Sequence, residues 1–535
     1  MPTESDPRLL YALLAPLIGA GLVMATGKKP NLREAVSFIA ACTLFGFVAS
    51  LVPDVLAHKT VHFTVFQLIP QSADTSFYKG LSLSLRADGL SMVFALAASF
   101  LWIVAVFYAA GYMRGHQEAN QTRFNACFAL ALFGAVGGAF ADNLLTLYFF
   151  YEIVSVSTYP LVAHHQDEES YAGAQKYLVY LTTTAKALIL PAMVLIYVLS
   201  GTLDFAHNAN TGILPAGIHN GIIIALYVAC ILGFAKNGVM PFHSWLPSAM
   251  VAPTPVSALL HAVAVVKIGV FATVRVMLYI FGVDLMDQLH LGLPTACFVS
   301  ITILLASVIA LSKDNLKARL AYSTVSQLSY VILGVALLNP IGVEGGLFHI
   351  AAHAFSKITL FFCAGAIYVV THKKNISEMG GLGRQMPWTF GAFAVAALSM
   401  IGAPPVAGFV SKLYMLVGSL DAGSYFILAV LIGSSLLNAA YFAPVVYHAF
   451  FGKPATVAGH GGHSDDDGHS HQHSDHSHGD ANPHSAIADP HSAAHGAAGE
   501  APLSMLIPLC ITAAISVVIG IYPDLIMNFV EGIVK

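Results

Sequence analysis

Long apolar runs separated by short polar loops make up nearly the whole of this chain. Most runs reach the roughly 20 residues that an α-helix needs to cross the hydrocarbon core of a bilayer. They lie near residues 8–26, 34–56, 88–112, 124–142, 144–164, 174–200, 220–242, 253–281, 294–312, 319–338, 344–371, 385–416, 424–450 and 503–527. The pattern predicts an all-α integral membrane protein with about 14 transmembrane helices, the longest of them tilted or broken.

The composition favours one membrane bundle over a set of soluble domains. Of 535 residues, 57% are hydrophobic and 10% are charged, whereas roughly a quarter of the residues in soluble proteins are charged. The six cysteines lie in apolar runs without CxxC spacing, and no dinucleotide-binding glycine motif or P-loop occurs. The sequence therefore predicts no cofactor and no catalytic or redox site in this chain. Nothing in it indicates a nucleic-acid surface.

Basic residues collect in alternate loops. The loops after odd-numbered runs carry most of the lysines and arginines, whereas the loops after even-numbered runs carry few, apart from Lys59, Lys79 and Arg86. Loops rich in lysine and arginine stay on the cytoplasmic side of a membrane. We therefore expect a multi-pass protein of the bacterial cytoplasmic (inner) membrane, with both termini outside.

Titratable side chains inside the apolar runs are the candidate functional groups. A charge at the bilayer centre costs about 2.5–3.5 kcal/mol on insertion scales, so such residues usually face a bundle interior and mark an ion path. The candidates are Glu152, Lys236, His261, Lys267, His349, His353, Lys357 and Lys412. We interpret them as proton carriers.

Two runs combine a lysine with proline. Pro241 follows Lys236 in run seven, and Pro404 and Pro405 precede Lys412 in run twelve. Proline lacks a backbone N–H and interrupts a helix, and the carbonyl that it frees must be satisfied by protein or water. Interrupted helices in corresponding positions mark the site in many transporters. The parallel predicts two inverted five-helix repeats, with helices 7 and 12 broken.

Spacing relates the other candidates to one another. His349, His353 and Lys357 recur every four residues in run eleven and so share one helix face, as a proton relay would require. The HxxxH pair also has the spacing of a zinc site, but no acidic third ligand is adjacent. His261 and Lys267 are six residues apart in run eight, which puts them on different faces unless the helix is locally unwound.

The expected organisation has five parts. They are residues 1–112 with helices 1–3, 113–281 with the first repeat (helices 4–8), 282–452 with the second repeat (helices 9–13), the loop 453–502, and 503–535 with helix 14. The loop is too polar and glycine-rich to bury a core, which predicts disorder on the cytoplasmic side. Its histidines bind a metal weakly, buffer protons near the exit, or belong to a low-complexity insert. The candidate metal ligands are His463, His469, His471, His473, His476 and His478.

Five stretches resemble, in order, the antiporter-like subunits of respiratory complex I and of Mrp-type sodium/proton antiporters. They read DNLLTLYFFYE, GFAKNGVMPFHSWLPSAMVAPTPVSALLH, LKARLAYSTVSQLSY, LFHIAAHAFSKITLFF and GAPPVAGFVSKL. The similarity covers most of 80–450. It implies fourteen helices with two inverted five-helix repeats, and protons that move along a hydrated central axis.

The resemblance also implies a role for each candidate. Glu152 corresponds to the glutamate that pairs with the broken-helix lysine, here Lys236, so that each favours the charged form of the other. Lys267 corresponds to a bridging lysine. His349, His353 and Lys357 fit the central relay, His261 matches a histidine of some members, and Lys412 fits the terminal lysine of the second half-channel.

The expected function is proton translocation, coupled to a monovalent cation, within a multi-subunit membrane complex. Partners would be other membrane subunits, protons, Na⁺ or K⁺, and the bilayer. The chain ends soon after run fourteen, which favours an Mrp D subunit or a shorter complex I subunit. Alternatives are a proton-pumping subunit of an NADH–quinone oxidoreductase with the redox cofactors on other chains, a subunit of an inorganic-carbon uptake complex, and a metal-uptake protein. Lys186 has no place in the family pattern.

Overall fold

The computed structural model describes residues 5–70, 77–453 and 499–534. The helices are α1 (Arg8–Ala25), α2 (Pro30–Ser50), α3 (Val52–Leu56), α4 (Gly89–Gly115), α5 (Gln121–Ala139), α6 (Leu144–Val162), α7 (Glu168–Thr184), α8 (Leu190–Ser200), α9 (Asn220–Gly233), α10 (Trp245–Ser248), α11 (Thr254–Ala258), α12 (Val265–Val276), α13 (Val283–Gln288), α14 (Gly292–Leu311), α15 (Leu316–Ala336), α16 (Pro340–Thr371), α17 (Leu382–Gln385), α18 (Pro387–Ile401), α19 (Ala407–Asp421), α20 (Tyr425–Phe451), α21 (Leu503–Ile521) and α22 (Asp524–Val530). Short 3₁₀ turns span Ala235–Asn237, Ala249–Val251 and Ile376–Glu378, and π-helical segments span Ala185–Ile189, Leu259–Val263 and Met277–Phe281.

Within these residues, eleven helices are long and apolar enough to cross a membrane. The predicted helical, multi-pass membrane protein is thereby confirmed. Two shorter apolar helices, α9 and α18, end at the interruptions in runs seven and twelve. The count of about fourteen spans, the inverted repeats and the five-part division stay predictions.

The first interruption begins earlier than proline alone predicts. Helix α9 ends at Gly233, and Lys236 lies in the 3₁₀ turn that follows it, well before Pro241. The side chain of Asn237 donates to the carbonyl of Ile231 at 3.0 Å and accepts from the N–H of Val239 at 2.9 Å. This side chain thus supplies a partner to a carbonyl of the last helical turn, which has no partner within the helix.

The second interruption separates α18 from α19. Gly402 follows the end of α18 with a φ of +90°, in the left-handed region that glycine tolerates best. The chain then passes Pro404 and Pro405 and re-enters a helix at Ala407, which places Lys412 in its second turn. Lys412 therefore turns back toward the carboxyl end of α18.

Run eight is locally unwound, which is the condition under which His261 and Lys267 can approach a common space. His261 lies in the π-helical segment Leu259–Val263, and α12 with Lys267 starts two residues after that segment. Helix α16 packs against α15, α18, α19, α21 and α4, and it also contacts the π-helical segment, where Phe361 lies against His261. The longest helix thus forms the centre of the bundle.

A β-hairpin occupies what the sequence analysis treated as a loop between runs two and three. Strands β1 (Val61–Ile69) and β2 (Leu81–Ala87) pair antiparallel, with His62 opposite Arg86. The alternation in LSLSLRA was a visible strand signal that the helix pattern overshadowed.

Candidate functional site

The predicted site residues line the interior of the bundle. Lys236, His261, Lys267, His349, His353, Lys357 and Lys412 are all less than 5% exposed, and Glu152 is half-buried. Buried titratable groups in a membrane protein need polar partners, because hydrocarbon offers none.

Lys236 is held by neutral acceptors on α6. Its amine donates to the carbonyl of Tyr151 at 2.8 Å and to the hydroxyl of Ser155 at 2.7 Å. The same nitrogen lies 3.1 Å from the centre of the Tyr151 ring, a cation–π contact when the amine is charged. Tyr151 and Ser155 are four residues apart and therefore form one face toward Lys236.

The pairing of Glu152 with Lys236 stays a prediction: the two groups lie in each other's electrostatic field but make no direct contact. No ion pair within 4.0 Å joins Glu152 to any group in the described parts of the chain, and its Oε1 is buried without a hydrogen-bond partner there. Neighbouring helical residues point about 100° apart, so Tyr151 faces Lys236 while Glu152 points aside. Glu152 instead lies in the electrostatic field of two amines, Lys236 and Lys186.

Lys267 contacts the central helix. Its amine lies 2.8 Å from Nδ1 of His353 and donates to the carbonyl of Ile350 at 2.8 Å. This contact joins α12 to α16. A proton on either nitrogen would be shared with the other.

His261 is packed rather than hydrogen-bonded. Its ring lies 4.9 Å from that of Phe361, and neither ring nitrogen has a hydrogen-bond partner among the described residues. Nε2 of His353 is likewise without one. The structure does not bring His261 to within hydrogen-bonding distance of Lys267.

His349 and Lys357 lie one turn of α16 to either side of His353. His349 contacts Ser411 through Nδ1 at 2.8 Å and Gln327 through Nε2 at 3.0 Å, and its ring centre is 6.1 Å from that of His353. Lys357 donates to the hydroxyl of Ser323. The predicted stripe thus exists, and each member has its own partner.

Lys412 is the last of the buried candidate amines along the chain and lies at the second helix interruption. Its amine donates to the carbonyls of Met400 and Ile401 at 2.8 and 2.9 Å and to the hydroxyl of Ser435 at 3.2 Å. Those carbonyls belong to the last turn of α18. A helix carboxyl terminus attracts positive charge, so this site favours the protonated amine.

Polar side chains on α15 and α20 fill the space between Lys357 and Lys412, and the sequence analysis missed them. The hydroxyl of Tyr441 donates to Oδ1 of Asn438 at 2.5 Å and lies in reach of Ser323. Nδ2 of Asn438 donates to the Met400 carbonyl at 3.1 Å. The signal was their spacing at i, i+4 and i+7: Ser323, Gln327 and Tyr330 on α15, and Ser434, Asn438 and Tyr441 on α20.

An ion cluster at the start of α4 was also missed. The fully buried guanidinium of Arg275 donates to both carboxylate oxygens of Asp88 at 2.5 and 2.9 Å. Asp142 pairs with Arg86 at 3.2 Å and with His62 at 3.0 Å. Asp88 also caps α4 with Ser91. An arginine inside run eight was the signal for this cluster.

A cavity of about 530 Å³ opens among the loops that carry the basic residues, between Tyr112, Glu118, Thr254 and Lys317. The amine of Lys317 donates to the carbonyl of Ala252 at 2.6 Å, which ties α15 to the turn before α11. Thr254 lines the cavity and stands seven residues before His261 in the sequence. The start of run eight, at Thr254, therefore borders the cavity.

Two titratable groups outside the spans, Glu118 and His165, line this cavity, and His164 lies beside Glu118. Glu118 accepts from His165 at 3.4 Å and lies 3.6 Å from His164. The hydrogen bond to Glu118 raises the pKa of His165, whereas burial lowers the pKa of His164 to about 4. Burial raises the pKa of Glu118, but the hydrogen bond from His165 and the histidine charges outweigh it and lower the value.

Among residues 5–70, 77–453 and 499–534, no group of three or more His, Cys, Asp or Glu side chains is arranged to hold a metal. The six histidines proposed as weak ligands, His463, His469, His471, His473, His476 and His478, lie outside the described residues. The role of the loop thus stays a prediction.

The chain is similar in sequence and in fold to several known membrane proteins. The family described as NADH:quinone oxidoreductase/Mrp antiporter, TM, matches residues 141–438. The chain is 34% identical over 371 residues to NADH-quinone oxidoreductase subunit N of Desulforudis audaxviator, covering 69% of this chain and 73% of that protein. It is 31% identical over 477 residues to subunit L of the same enzyme from Mycobacterium tuberculosis, covering 86% and 72%. A chain of the Mrp complex from Dietzia sp. DQ12-45-1b has the same fold, with a TM-score of 0.81 at 22% identity over 99% of this chain and 96% of that chain.

Proposed function

The chain belongs to the NADH:quinone oxidoreductase/Mrp antiporter transmembrane family, and from this premise we propose that it translocates protons, in exchange for a monovalent cation, as one membrane subunit of a larger complex. The observation that carries the proposal is the line of buried amines and imidazoles between the two helix interruptions. Each of these groups changes charge by gaining or losing one proton, and the described chain offers them few counter-ions.

In the proposed mechanism, Lys236 exchanges a proton with solvent at the first interruption. Its acceptors, Tyr151 and Ser155, are neutral, so the amine is not locked in its charged form by a carboxylate contact. Lys267 then passes a proton to Nδ1 of His353, which is already within hydrogen-bonding distance. Proton transfer needs this contact geometry first and matched proton affinities second.

The second half continues from the central helix to Lys412. His349 lies one turn from His353, and Lys357 reaches Tyr441 and Asn438 through Ser323. Asn438 and Lys412 share the Met400 carbonyl. Glu152 acts on Lys236 through its field, and His261 accepts protons arriving from the cavity beside Thr254. No cofactor takes part within this chain.

We place the protein in the bacterial inner membrane with both termini outside and the basic loops in the cytoplasm. The alternation of basic loops supports this orientation. The cavity beside Lys317 then opens to the cytoplasm. Partners are the other membrane subunits of the complex, and the transported ions are H⁺ and Na⁺ or K⁺.

A second candidate function is a proton-pumping subunit of an NADH–quinone oxidoreductase. It is favoured by the names of the two relatives, both of which are subunits of that enzyme. The flavin and iron–sulfur centres would lie on other chains. Purification of the complex decides between the two functions: flavin and iron–sulfur subunits support the oxidoreductase, and their absence with Na⁺- or K⁺-dependent proton flux supports the antiporter.

Replacement of Lys236 tests the claim that both candidate functions share, namely that this chain conducts protons through Lys236. The complex is reconstituted in vesicles that contain a pH-sensitive dye, and proton flux is driven by a cation gradient or by NADH. Lys236→Met, which keeps the length of the side chain without a proton site, is expected to abolish flux while the protein still inserts and assembles. Lys79→Met, at an exposed loop lysine, serves as the control. Wild-type flux in Lys236→Met would overturn the proposal.

A further inference from the structure

Lys186 is an exposed amine at membrane depth. It lies in the π-helical segment Ala185–Ile189, inside a continuous apolar span from Glu168 to Ser200. Lys176, the charged residue before it on this span, is ten residues away. At about 1.5 Å per residue this is roughly 15 Å, half the thickness of the hydrocarbon core. A lysine side chain cannot reach the headgroups from that depth.

Large apolar side chains are exposed on the three helices that carry or flank Lys186 and Glu152. Val156 on α6, Val179 on α7 and Val194 on α8 are 64%, 52% and 54% exposed. An uncovered amine among such side chains would face lipid tails, where a charge is costly and is rarely found without a partner. A partner that covers this face must therefore present apolar side chains to the valines and a polar or charged group to the amine.

The charges nearby leave one amine in excess. Glu152 on α6 lies in the fields of both Lys236 and Lys186, and its Oε1 has no hydrogen-bond partner in the described chain. Lys236 is already satisfied by the Tyr151 carbonyl and the Ser155 hydroxyl. When both amines are protonated, one carboxylate faces two positive charges, and the group that would balance them is a second carboxylate.

We propose that the face of α6, α7 and α8 around Lys186 and Glu152 is an interface with a neighbouring subunit. A membrane-spanning helix of that subunit covers Val156, Val179 and Val194 and places an aspartate or glutamate beside Lys186. The inference rests on the part of the proposed function that puts this chain in a larger complex. It adds the face at which the partner binds and the chemistry by which it is recognised.

Substitution of Lys186 by leucine tells whether Lys186 faces lipid or a partner carboxylate, because the two environments predict opposite changes in the stability of the complex. Facing lipid, Lys186→Leu would ease insertion and leave the complex at least as stable. Facing a partner carboxylate, it would leave that carboxylate unpaired, so we expect a several-fold loss of intact complex after detergent extraction, measured by native electrophoresis. Lys186→Arg keeps the charge and should retain assembly. An unchanged or increased yield of complex with Lys186→Leu overturns the inference.

Photo-crosslinking identifies what covers the face. A benzophenone amino acid replaces Val194 in native membranes, and the same residue replaces Leu436, exposed on α20, as a matched control. We expect the Val194 probe, and not the Leu436 probe, to attach to a spanning peptide of another subunit that contains an aspartate or glutamate. Adducts with lipid alone, with a second copy of this chain, or with a peptide lacking a carboxylate would each contradict the inference.

Assembly and proton flux are read separately. A wild-type complex without flux, whose Lys186→Leu variant still dissociates, would refute the proposed function and leave the interface standing. Normal flux in the wild type together with undisturbed assembly in Lys186→Leu would refute the interface and leave the proposed function standing.

Discussion

The amine of Lys267 lies 2.8 Å from Nδ1 of His353, and both side chains are almost fully buried. Lys267 belongs to the predicted first repeat and His353 to the predicted second. The lysine donates when it is protonated, so Nδ1 must then be the acceptor, and the proton of neutral His353 sits on Nε2. One contact therefore joins the two predicted halves and fixes the tautomer that can receive a proton.

Replacement of His353 should interrupt this transfer. His353→Gln keeps a polar side chain near Lys267, but an amide does not take up a proton in the physiological pH range. A positioned acid–base group contributes typically 10²–10⁴-fold, so we expect flux to fall by at least about 100-fold. The measurement is dye-reported flux in reconstituted vesicles, with His219→Gln at an exposed helix cap as control. Equal flux in both variants would place the pathway elsewhere.

Glu152 should matter less than the lysine it was predicted to pair with. Since Glu152 makes no ion pair within 4.0 Å in the described chain, its removal changes the field at Lys236 but breaks no hydrogen bond of that amine. We expect Glu152→Gln to slow flux by about 10-fold, the effect of a change of about 1.4 kcal/mol, and Lys236→Met to abolish it. If the two variants proved equally inactive, a direct Glu152–Lys236 contact would have to form during turnover.

Tyr441 tests whether the hydroxyls beside Lys357 belong to the pathway. Tyr441→Phe removes the donor to Asn438 and the hydroxyl next to Ser323 while keeping the ring. We expect flux to drop about 10-fold, and stability to fall by about 1–3 kcal/mol because a buried acceptor is left unpaired. Tyr227→Phe breaks a similar buried hydrogen bond, to Thr295 at 3.0 Å, away from the line of amines. It should cost stability but not flux.

The Asp88–Arg275 pair should stabilise the fold rather than carry protons. Arg275 is fully buried, and breaking a buried ion pair typically costs about 3–5 kcal/mol because the remaining charge has no counter-ion. Asp88→Asn keeps the cap of α4 but removes the charge, so we expect a loss near the lower end of that range, since the carboxylate of Asp142 still acts on Arg275. Denaturation of the purified protein measures the loss, and Lys59→Ala, at an exposed pair with Asp54, should change it little. A variant as stable as the wild type would show that the pair is not needed.

Much of the fold and most of the site residues follow from the hydrophobic pattern. Apolar runs predict spans because lipid forces every backbone group into a helix, and titratable residues within those runs predict the buried line from Lys236 to Lys412. The alternation in β2 also predicts a strand, but one hairpin among so many helices is easily passed over. Polar residues at helical spacing, such as Asn438 and Tyr441, are just as visible in the sequence. A single uncharged polar residue is common in a membrane helix, however, so each one alone does not indicate a functional site.

Contacts between elements could not be predicted from spacing. Glu152 and Lys236 are far apart in sequence, and whether they touch depends on the rotation of α6, which places Tyr151 and Ser155 toward the amine. The Lys267–His353 contact depends likewise on the unwound segment Leu259–Val263, whose geometry no local rule specifies. The register of packed helices is set by the whole bundle.

The histidines beside Glu118 make opposite predictions for the pH dependence of stability. Burial lowers the pKa of His164 to about 4, from an ordinary value of 6.5. Between these values the unfolded chain binds more protons than the folded one at this site, so His164 makes stability fall as the pH falls from about 6.5 to 4. The hydrogen bond to Glu118 raises the pKa of His165, and this group therefore contributes stability below about 6.5 that is lost as the pH rises through its folded value.

Two variants separate these effects. His164→Phe keeps an aromatic ring against Phe124 and removes the titration, so the melting temperature of the variant should gain on that of the wild type as the pH drops from 7 to 5. The melting temperature of His165→Gln should fall relative to that of the wild type over the same interval, because only the wild type gains a protonated histidine beside Glu118. Melting curves of the purified protein at pH 5, 6 and 7 measure both differences, and Glu118→Gln provides the control, since it removes the charge that favours protonated His165. Parallel curves for both histidine variants would mean that neither ring changes its protonation affinity on folding, because each predicted slope arises only from a difference between the folded and unfolded pKa.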